Sequence, residues 1–286
     1  MKKSINAWTI DEKADFEKMF GDVREAGFEG IELNIDKDGH SNHSLSLEKG
    51  SDLDGIAKLS QKYSLPVVSI STSLGGSTST RGEGFQKAHK LIRRQIECAK
   101  ALGAKLILSV PGGVGDRVSG GDKASVAGEV SIRDAYKNSL DCYREIGDEI
   151  ASSSIMVCLE QVWNGFFTSA FDMAKFIDDL DNPSIAAYFD VGNMLAFSWP
   201  EYWIEILGKR ICLLHVKDFK RNGSFNRGGD FVDLMAGSAR WKEVVAALRA
   251  AGFDGYLTAE VEKRDDQTYD EFYRETAGII GKIINM

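Results

Sequence analysis

No apolar run in the 286 residues approaches the roughly 18–20 needed to cross a bilayer, which excludes a helical membrane protein. The opening, MKKSINAWTI, is too short and polar for a secretory signal. Cysteine is scarce. Cys98, Cys142, Cys158 and Cys212 form no C-x-x-C pair and suit the reduced, buried thiols of a cytoplasmic protein. Positive charge is short as well: 35 basic residues against 43 acidic ones leave a net charge of −8, which argues against a nucleic-acid partner. There is no fixed-period repeat and no phosphate-cradling G-x-x-x-x-G-K-[ST]. What the sequence does have is 43% hydrophobic residues, enough for a large core and too many for a disordered chain. At about 150 residues per domain the length suggests two domains, but single barrels of roughly 250 residues are common.

Short β-branched or apolar runs recur at Ser4–Ile10, Phe28–Ile35, Pro66–Thr72, Lys105–Val110, Ile155–Val162, Ile185–Val191, Ile211–Phe219 and Gly255–Val261, each flanked by Gly, Pro, Asn or Asp as strands are. Between them lie helical periodicities. Phe85, Ala88, Ile92, Ile96 and Ala99 recur at three and four within Gly84–Gly103, as do Trp241, Val244, Val245 and Leu248 within Ala239–Gly252. Gly27, Gly103 and Gly252 read as helix C-caps that feed the next strand. Eight strands alternating with helices predict a single (β/α)8 barrel domain over residues 1–286. A doubly wound sheet is the alternative, but no Gly-rich turn follows Ile10. The Gly-rich segment Pro111–Gly128 reads as a long loop after the fourth strand, on the face where barrels carry their chemistry.

The polar residues of the last four strands are the informative ones. IMVCLEQV places Glu160 near its C-terminal end, IAAYFDVGN places Asp190, ICLLHVKDF places His215 and GYLTAEV places Glu260. The pleat can turn each of them inward at the top of a barrel. One buried carboxylate is explained by a structural ion pair. Three carboxylates and an imidazole at equivalent depth are not, because desolvated like charges repel. A single divalent cation resolves the conflict, and an O3N donor set with room for substrate oxygens suits Mn²⁺, Mg²⁺, Co²⁺ or Zn²⁺.

The motifs L-E-Q at 159–161, F-D-V-G-N at 189–193, H-V-K-D-F at 215–219 and T-A-E at 258–260 resemble the xylose isomerase-like barrel superfamily of sugar isomerases and epimerases. With F-V-D-L-M-A-G at 231–237, D-V-G-N and H-V-K-D look like its ketose-phosphate 3-epimerase and hexulose-phosphate isomerase branch. The resemblance spans essentially the whole chain. It implies that Glu160, Asp190, His215 and Glu260 bind one divalent metal and that Glu160 and Glu260 also move protons. Many relatives acting on free sugars carry histidine where Asn193 stands, so the resemblance favours a phosphate-bearing substrate.

The chemistry agrees. A ketose α-proton is too weakly acidic to be removed unless the enediolate oxygen is stabilised as it forms. Strands five and eight are three steps apart around the ring, so Glu160 and Glu260 face each other across the site. Opposed carboxylates suit epimerisation, and same-face transfer by one of them suits aldose–ketose isomerisation.

Other residues have two readings each. Lys217 either binds a substrate phosphate or hydroxyl or pairs with a neighbouring acid. Asn193 either bonds a substrate hydroxyl or serves a turn. Glu32 either bonds sugar or orients a ligand. Trp163 and Asn164 wall the pocket or simply pack, and Arg227 in NRGGD is a candidate phosphate contact. Asp218 points outward and caps or pairs. His40 and His43 read as solvated loop histidines, and His89 as structural. Trp199, Tyr202 and Trp203 suit either a homo-oligomer interface or core packing.

A sugar or sugar-phosphate isomerase or epimerase is the expected activity, in the cytoplasm, with a small-molecule substrate. A lyase such as a keto-inositol dehydratase uses the same first proton abstraction and differs by loss of water. An abasic-site endonuclease of the same superfamily needs more than four histidines and a basic face. A non-catalytic sugar-binding barrel has no need of two opposed glutamates.

Overall fold

The computed structural model describes residues 1–48, 50–75, 77–115 and 130–286. Eight parallel strands among the described residues close into a barrel: β1 (Lys2–Asn6), β2 (Gly30–Asp36), β3 (Val67–Thr72), β4 (Leu106–Ser109), β5 (Met156–Glu160), β6 (Ile185–Asp190), β7 (Ile211–Val216) and β8 (Tyr256–Ala259). β1 bonds to both β2 and β8, which completes the ring. The helical periodicities appear as Glu83–Leu102 and Trp241–Ala250. Gly27, Gly103 and Gly252 adopt φ of +95°, +74° and +78°, the left-handed geometry that ends a helix most easily at glycine. Among the described residues no helix is long and apolar enough to cross a membrane.

Alternation decides what fills the barrel. Outward apolar side chains such as Ile31, Leu33, Ile107, Leu159 and Phe189 pack under the helices. The inward face is narrower. Leu108, Cys158, Ala186 and Leu213 plug its lower part, and Tyr188, Glu160, Asp190 and His215 stand above them two or four residues further along the same strands. Cys98, Cys142 and Cys158 are buried, Cys212 is partly so, and all four thiols are free.

Three expectations need correction. The first strand ends at Asn6 rather than Ile10, because the Asn6 side chain accepts from Trp8 N at 2.7 Å and starts a 3-10 turn over Ala7–Thr9. The seventh strand does not run on to Phe219. It stops at Val216, and Asp218–Arg221 pairs antiparallel with Gly229–Val232 in a separate hairpin. His43 is not solvated but buried, with Nδ1 2.9 Å from the Ala14 carbonyl and Nε2 3.1 Å from that of Ala7. Of the loop expected over 111–128, residues 116–128 lie outside the described residues. Trp203 packs in the core, and Trp199 lies under the guanidinium groups of Arg221 and Arg240, 3.7 and 4.2 Å from its ring centre, while Tyr202 is exposed.

Asp218 organises the hairpin. Its carboxylate accepts from the backbone N–H of Phe219, Met235, Gly237 and Ala239 and from Trp241 Nε1, at 2.9–3.2 Å. The 231–237 motif is therefore a wrapping of amides around one buried carboxylate. A Cβ on Gly237 would lie 2.0 Å from Asp218 Oδ1, so only glycine fits there. Asp218→Ala leaves five donors without their acceptor. At about 1–3 kcal/mol for a stranded buried group, the expected loss is at least about 3 kcal/mol, read as a lower Tm. A variant melting with the wild type would show that water replaces the carboxylate at no net cost.

Candidate metal centre

The strand ends bring Glu160, Asp190, His215 and Glu260 together as the sequence anticipates, with one ligand atom from each lying within 4.8 Å of the others. His215 Nδ1 is 3.2 Å from Glu160 Oε1, 3.2 Å from Glu260 Oε2 and 3.9 Å from Asp190 Oδ2. Asp190 and His215 are fully buried, whereas the Glu260 side chain is 19% exposed and opens the cluster to solvent. The other oxygen of Asp190, Oδ1, caps the short helix Val191–Leu195 through Asn193 N at 2.8 Å, which fixes the carboxylate's orientation.

Beneath the imidazole lies Glu32, wholly buried on β2. Its oxygens lie 2.7 Å from His215 Nε2 and accept from Tyr188 Oη at 2.8 Å, Asn6 Nδ2 at 2.6 Å and Ser69 Oγ at 2.5 Å. Glu32 thus orients His215 and does not face a ligand. With Nε2–H committed to Glu32, Nδ1 is the nitrogen turned to the three carboxylates, as in metal sites where an outer carboxylate fixes the tautomer. Tyr188 and Asn6 were not among the sequence candidates. Tyr188 was within reach, because it shares the inward face with Ala186 and Asp190 at spacing two.

Lys217 resolves its two readings as an ion pair. Its ammonium sits 2.9 Å from Asp190 Oδ2 and 2.5 Å from Glu260 Oε2. Gly192 of the D-V-G-N motif makes room for it, since a Cβ there would lie 2.5 Å from Lys217 Cγ.

Electrostatics follow from crowding. Burial pushes Glu160 up to about 7, against the pull of His215. Burial likewise raises Asp190 despite Lys217. Glu260 goes the other way: burial opposes its ionisation, but Lys217 and His215 hold it below the usual carboxylate range. Burial alone would lower His215, yet Glu260, Glu32 and Glu160 outweigh it and hold the imidazole well above its ordinary value. The donor set fits a divalent cation: three carboxylates and one oriented imidazole nitrogen converge on one point, oxygen and nitrogen donors of the kind such ions prefer, with the Lys217 ammonium beside Asp190 and Glu260.

The remaining candidates lie around this centre. Asn193 donates its side-chain N–H to the Gln161 carbonyl at 3.0 Å, so it ties the loop after β5 to that after β6. Asn164 donates to the Pro111 carbonyl at 2.9 Å. Trp163 is exposed at the mouth, donates Nε1–H to the Asn193 carbonyl at 3.1 Å and stacks on Phe231, centres 5.1 Å apart and planes 14° apart. Arg227 stands at the hairpin tip and is not among the residues that line the cavity beside Glu260. His40 is exposed, and His89 is buried against the Cys142 carbonyl. Next to Glu260 and Lys217 a cavity of about 610 Å³ opens, which Trp8 and Phe231 also line. Neither aromatic was a sequence candidate. Trp8 is held there by Asp36, which accepts from its Nε1 at 3.0 Å.

Fold and cluster together define a (β/α)8 barrel with an acidic, histidine-bearing centre at its C-terminal mouth, the face on which such barrels act. The chain belongs to the xylose isomerase-like TIM barrel family, whose profile matches residues 20–280. No curated protein matches the sequence. Among solved structures the chain is similar to D-allulose 3-epimerase from Methylomonas sp., with 17% identity, 99% of this chain and 98% of that one covered, and a TM-score of 0.75. It is similar to 3-keto-D-glucoside 4-epimerase from E. coli, with 16% identity, full coverage of both chains and a TM-score of 0.72. It is also similar to the IOLI protein with a bound zinc atom, with 16% identity, 99% and 96% coverage and a TM-score of 0.75. At these identities the likeness is one of fold.

Proposed function

We propose that this protein is a metal-dependent epimerase or isomerase of a ketose, with Glu160, Asp190, His215 and Glu260 holding one divalent ion and with Glu160 and Glu260 moving protons. The observation that carries the reading is the convergence of four ligand atoms within 4.8 Å beside a cavity onto which Glu260 opens. The epimerases among the structural relatives, and the zinc bound by one of them, support it.

When bound, the ion would polarise a carbonyl and stabilise developing negative charge on its oxygen. The chain's own groups do the rest. Glu160 on β5 and Glu260 after β8 reach His215 Nδ1 from strands on either side of β7. One carboxylate takes the α-proton from one face of the substrate, and the other returns a proton to the opposite face, inverting that carbon. If one carboxylate performed both transfers on a single face, the result would be aldose–ketose isomerisation. Glu32 keeps His215 in place throughout, and Lys217 supplies positive charge beside Glu260.

The test is a panel of ketoses in D2O with added Mn²⁺, read by mass and NMR. Deuterium entering the carbon next to the carbonyl with product otherwise equal in mass to substrate supports the reading. Product lighter by water indicates the dehydratase instead. Asp190→Ala is expected to lose bound metal, by elemental analysis, together with activity. The lost helix cap should cost about 1 kcal/mol and the broken pair with Lys217 more, offset in part because Glu260 still holds the ammonium, so circular dichroism on the same sample checks that the barrel is folded. Stoichiometric metal in that variant would remove Asp190 from the ligand set.

A further inference from the structure

We infer that the outer part of the cavity takes an uncharged sugar ring, so that the substrate is a glycosylated ketose and not a ketose phosphate. The inference rests on the proposed activity only for the ketose end, and the cavity argues the rest. Its volume of about 610 Å³ lies in the middle of the range for drug-sized ligands, about 300–1,000 Å³, and exceeds what one monosaccharide fills.

Charge decides against phosphate. Three cations line the cavity, and each is engaged. Lys217 is held by Asp190 and Glu260. Arg264 is held by Asp233 at 2.9 Å and Glu275 at 3.1 Å. Lys263 Nζ donates to the carbonyls of Arg264 and Gln267 at 2.7 and 3.0 Å. Beyond the Lys217–Glu260 pair, three acids, Asp233, Glu262 and Asp265, stand against Lys263 and Arg264, so the outer wall is net negative. A sugar phosphate carries nearly two negative charges at neutral pH and meets that negative wall, where each guanidinium and ammonium among the described lining residues already holds acceptors of this chain.

What the wall offers instead is aromatic surface. Phe231 is 48% exposed, yet it is held by the stack on Trp163 and an edge contact with Phe219 at 5.4 Å. Trp8 is fixed from behind by Asp36. Rigid aromatic faces beside acceptor-rich carboxylates match a pyranose, which has apolar C–H faces and hydroxyl donors around its rim.

The probe is isomaltulose, a ketohexose bearing glucose on its sixth oxygen, compared with D-fructose and D-fructose 6-phosphate on the full chain with Mn²⁺. Binding is read by calorimetry and turnover by deuterium wash-in. Isomaltulose is expected to bind about tenfold or more tighter than the phosphate and measurably tighter than fructose. Phe231→Ala should weaken isomaltulose binding about fivefold, the scale of one aromatic contact, and narrow its advantage over fructose, with Phe231→Tyr restoring both. Tighter binding of fructose 6-phosphate, or isomaltulose bound no better than fructose, overturns the inference. Selective binding of isomaltulose with no deuterium entering any ketose supports the inference and takes down the catalytic reading alone.

Discussion

Glu160→Gln and Glu260→Gln are each expected to lower the rate of epimerisation by about 10²–10⁴, the usual contribution of a general base, while the metal stays bound at reduced affinity. Glutamine keeps an oxygen donor in nearly the same place but cannot accept the α-proton. Both variants therefore remove a proton carrier without deleting a ligand. The informative readout is asymmetry. A variant that keeps the carboxylate on the face where a substrate's α-proton leaves should still exchange that proton with D2O, yet it should not invert the carbon. Exchange without epimerisation in one variant, alongside unchanged metal stoichiometry, is the expected pair of results. Two variants that keep metal and turn over near the wild-type rate would end the two-base reading. If even the wild type never takes up deuterium, an intramolecular hydride shift replaces proton transfer, and the two glutamates are then ligands only.

The residues that make such an experiment possible were legible in the sequence because the barrel imposes a simple rule. A short apolar run must end where the strand meets the mouth, and an ionisable residue placed there at the pleat's inward register has nowhere else to point. Glu160, Asp190, His215 and Glu260 all obey it, and so does Lys217, two residues after His215. Glycines at helix ends were legible for a related reason, since the left-handed turn into the next strand is easiest without a Cβ. The hairpin after β7 was not. Lys217 and Asp218 look like a continuation of ICLLHV, and only the tertiary arrangement shows Asp218 gathering amides from as far as Ala239. Glu32 showed only a polar side chain in an apolar strand, GIELNI. Its task depends on His215, 183 positions away, which no local pattern encodes. Trp8 and Phe231 were hidden for the same reason: each lies in a turn or hairpin whose direction is set by side-chain bonds and not by periodicity.

Lys217→Met is expected to destabilise the metal-free protein by about 3–5 kcal/mol, the range for removing one partner of a buried ion pair. Lys217 is the counter-cation of the centre: its ammonium lies 2.9 Å from Asp190 and 2.5 Å from Glu260, and its side chain is only 17% exposed. Burial alone would drive it toward neutrality, but Asp190, Glu260 and Glu160 hold its pKa well above the ordinary lysine value. A folded pKa raised in this way adds stability that is fully present below the unfolded value and fades only as pH rises through the folded one, so a melt at neutral pH measures the whole contribution. Methionine keeps the stem packed beside Gly192 and removes only the charge. Chelator-treated variant should then melt roughly 10 °C below the wild type. Addition of Mn²⁺ should reverse the order of gains. A cation that binds only the folded state stabilises it by mass action, and in the variant it no longer competes with an ammonium for the same two carboxylates. The rise in Tm on adding Mn²⁺ should therefore be larger for Lys217→Met than for the wild type. Equal melting of the two chelated proteins would mean that water screens Asp190 and Glu260 well enough without the lysine. A smaller Mn²⁺ response in the variant would mean that Lys217 helps to build the cation site instead of competing with it.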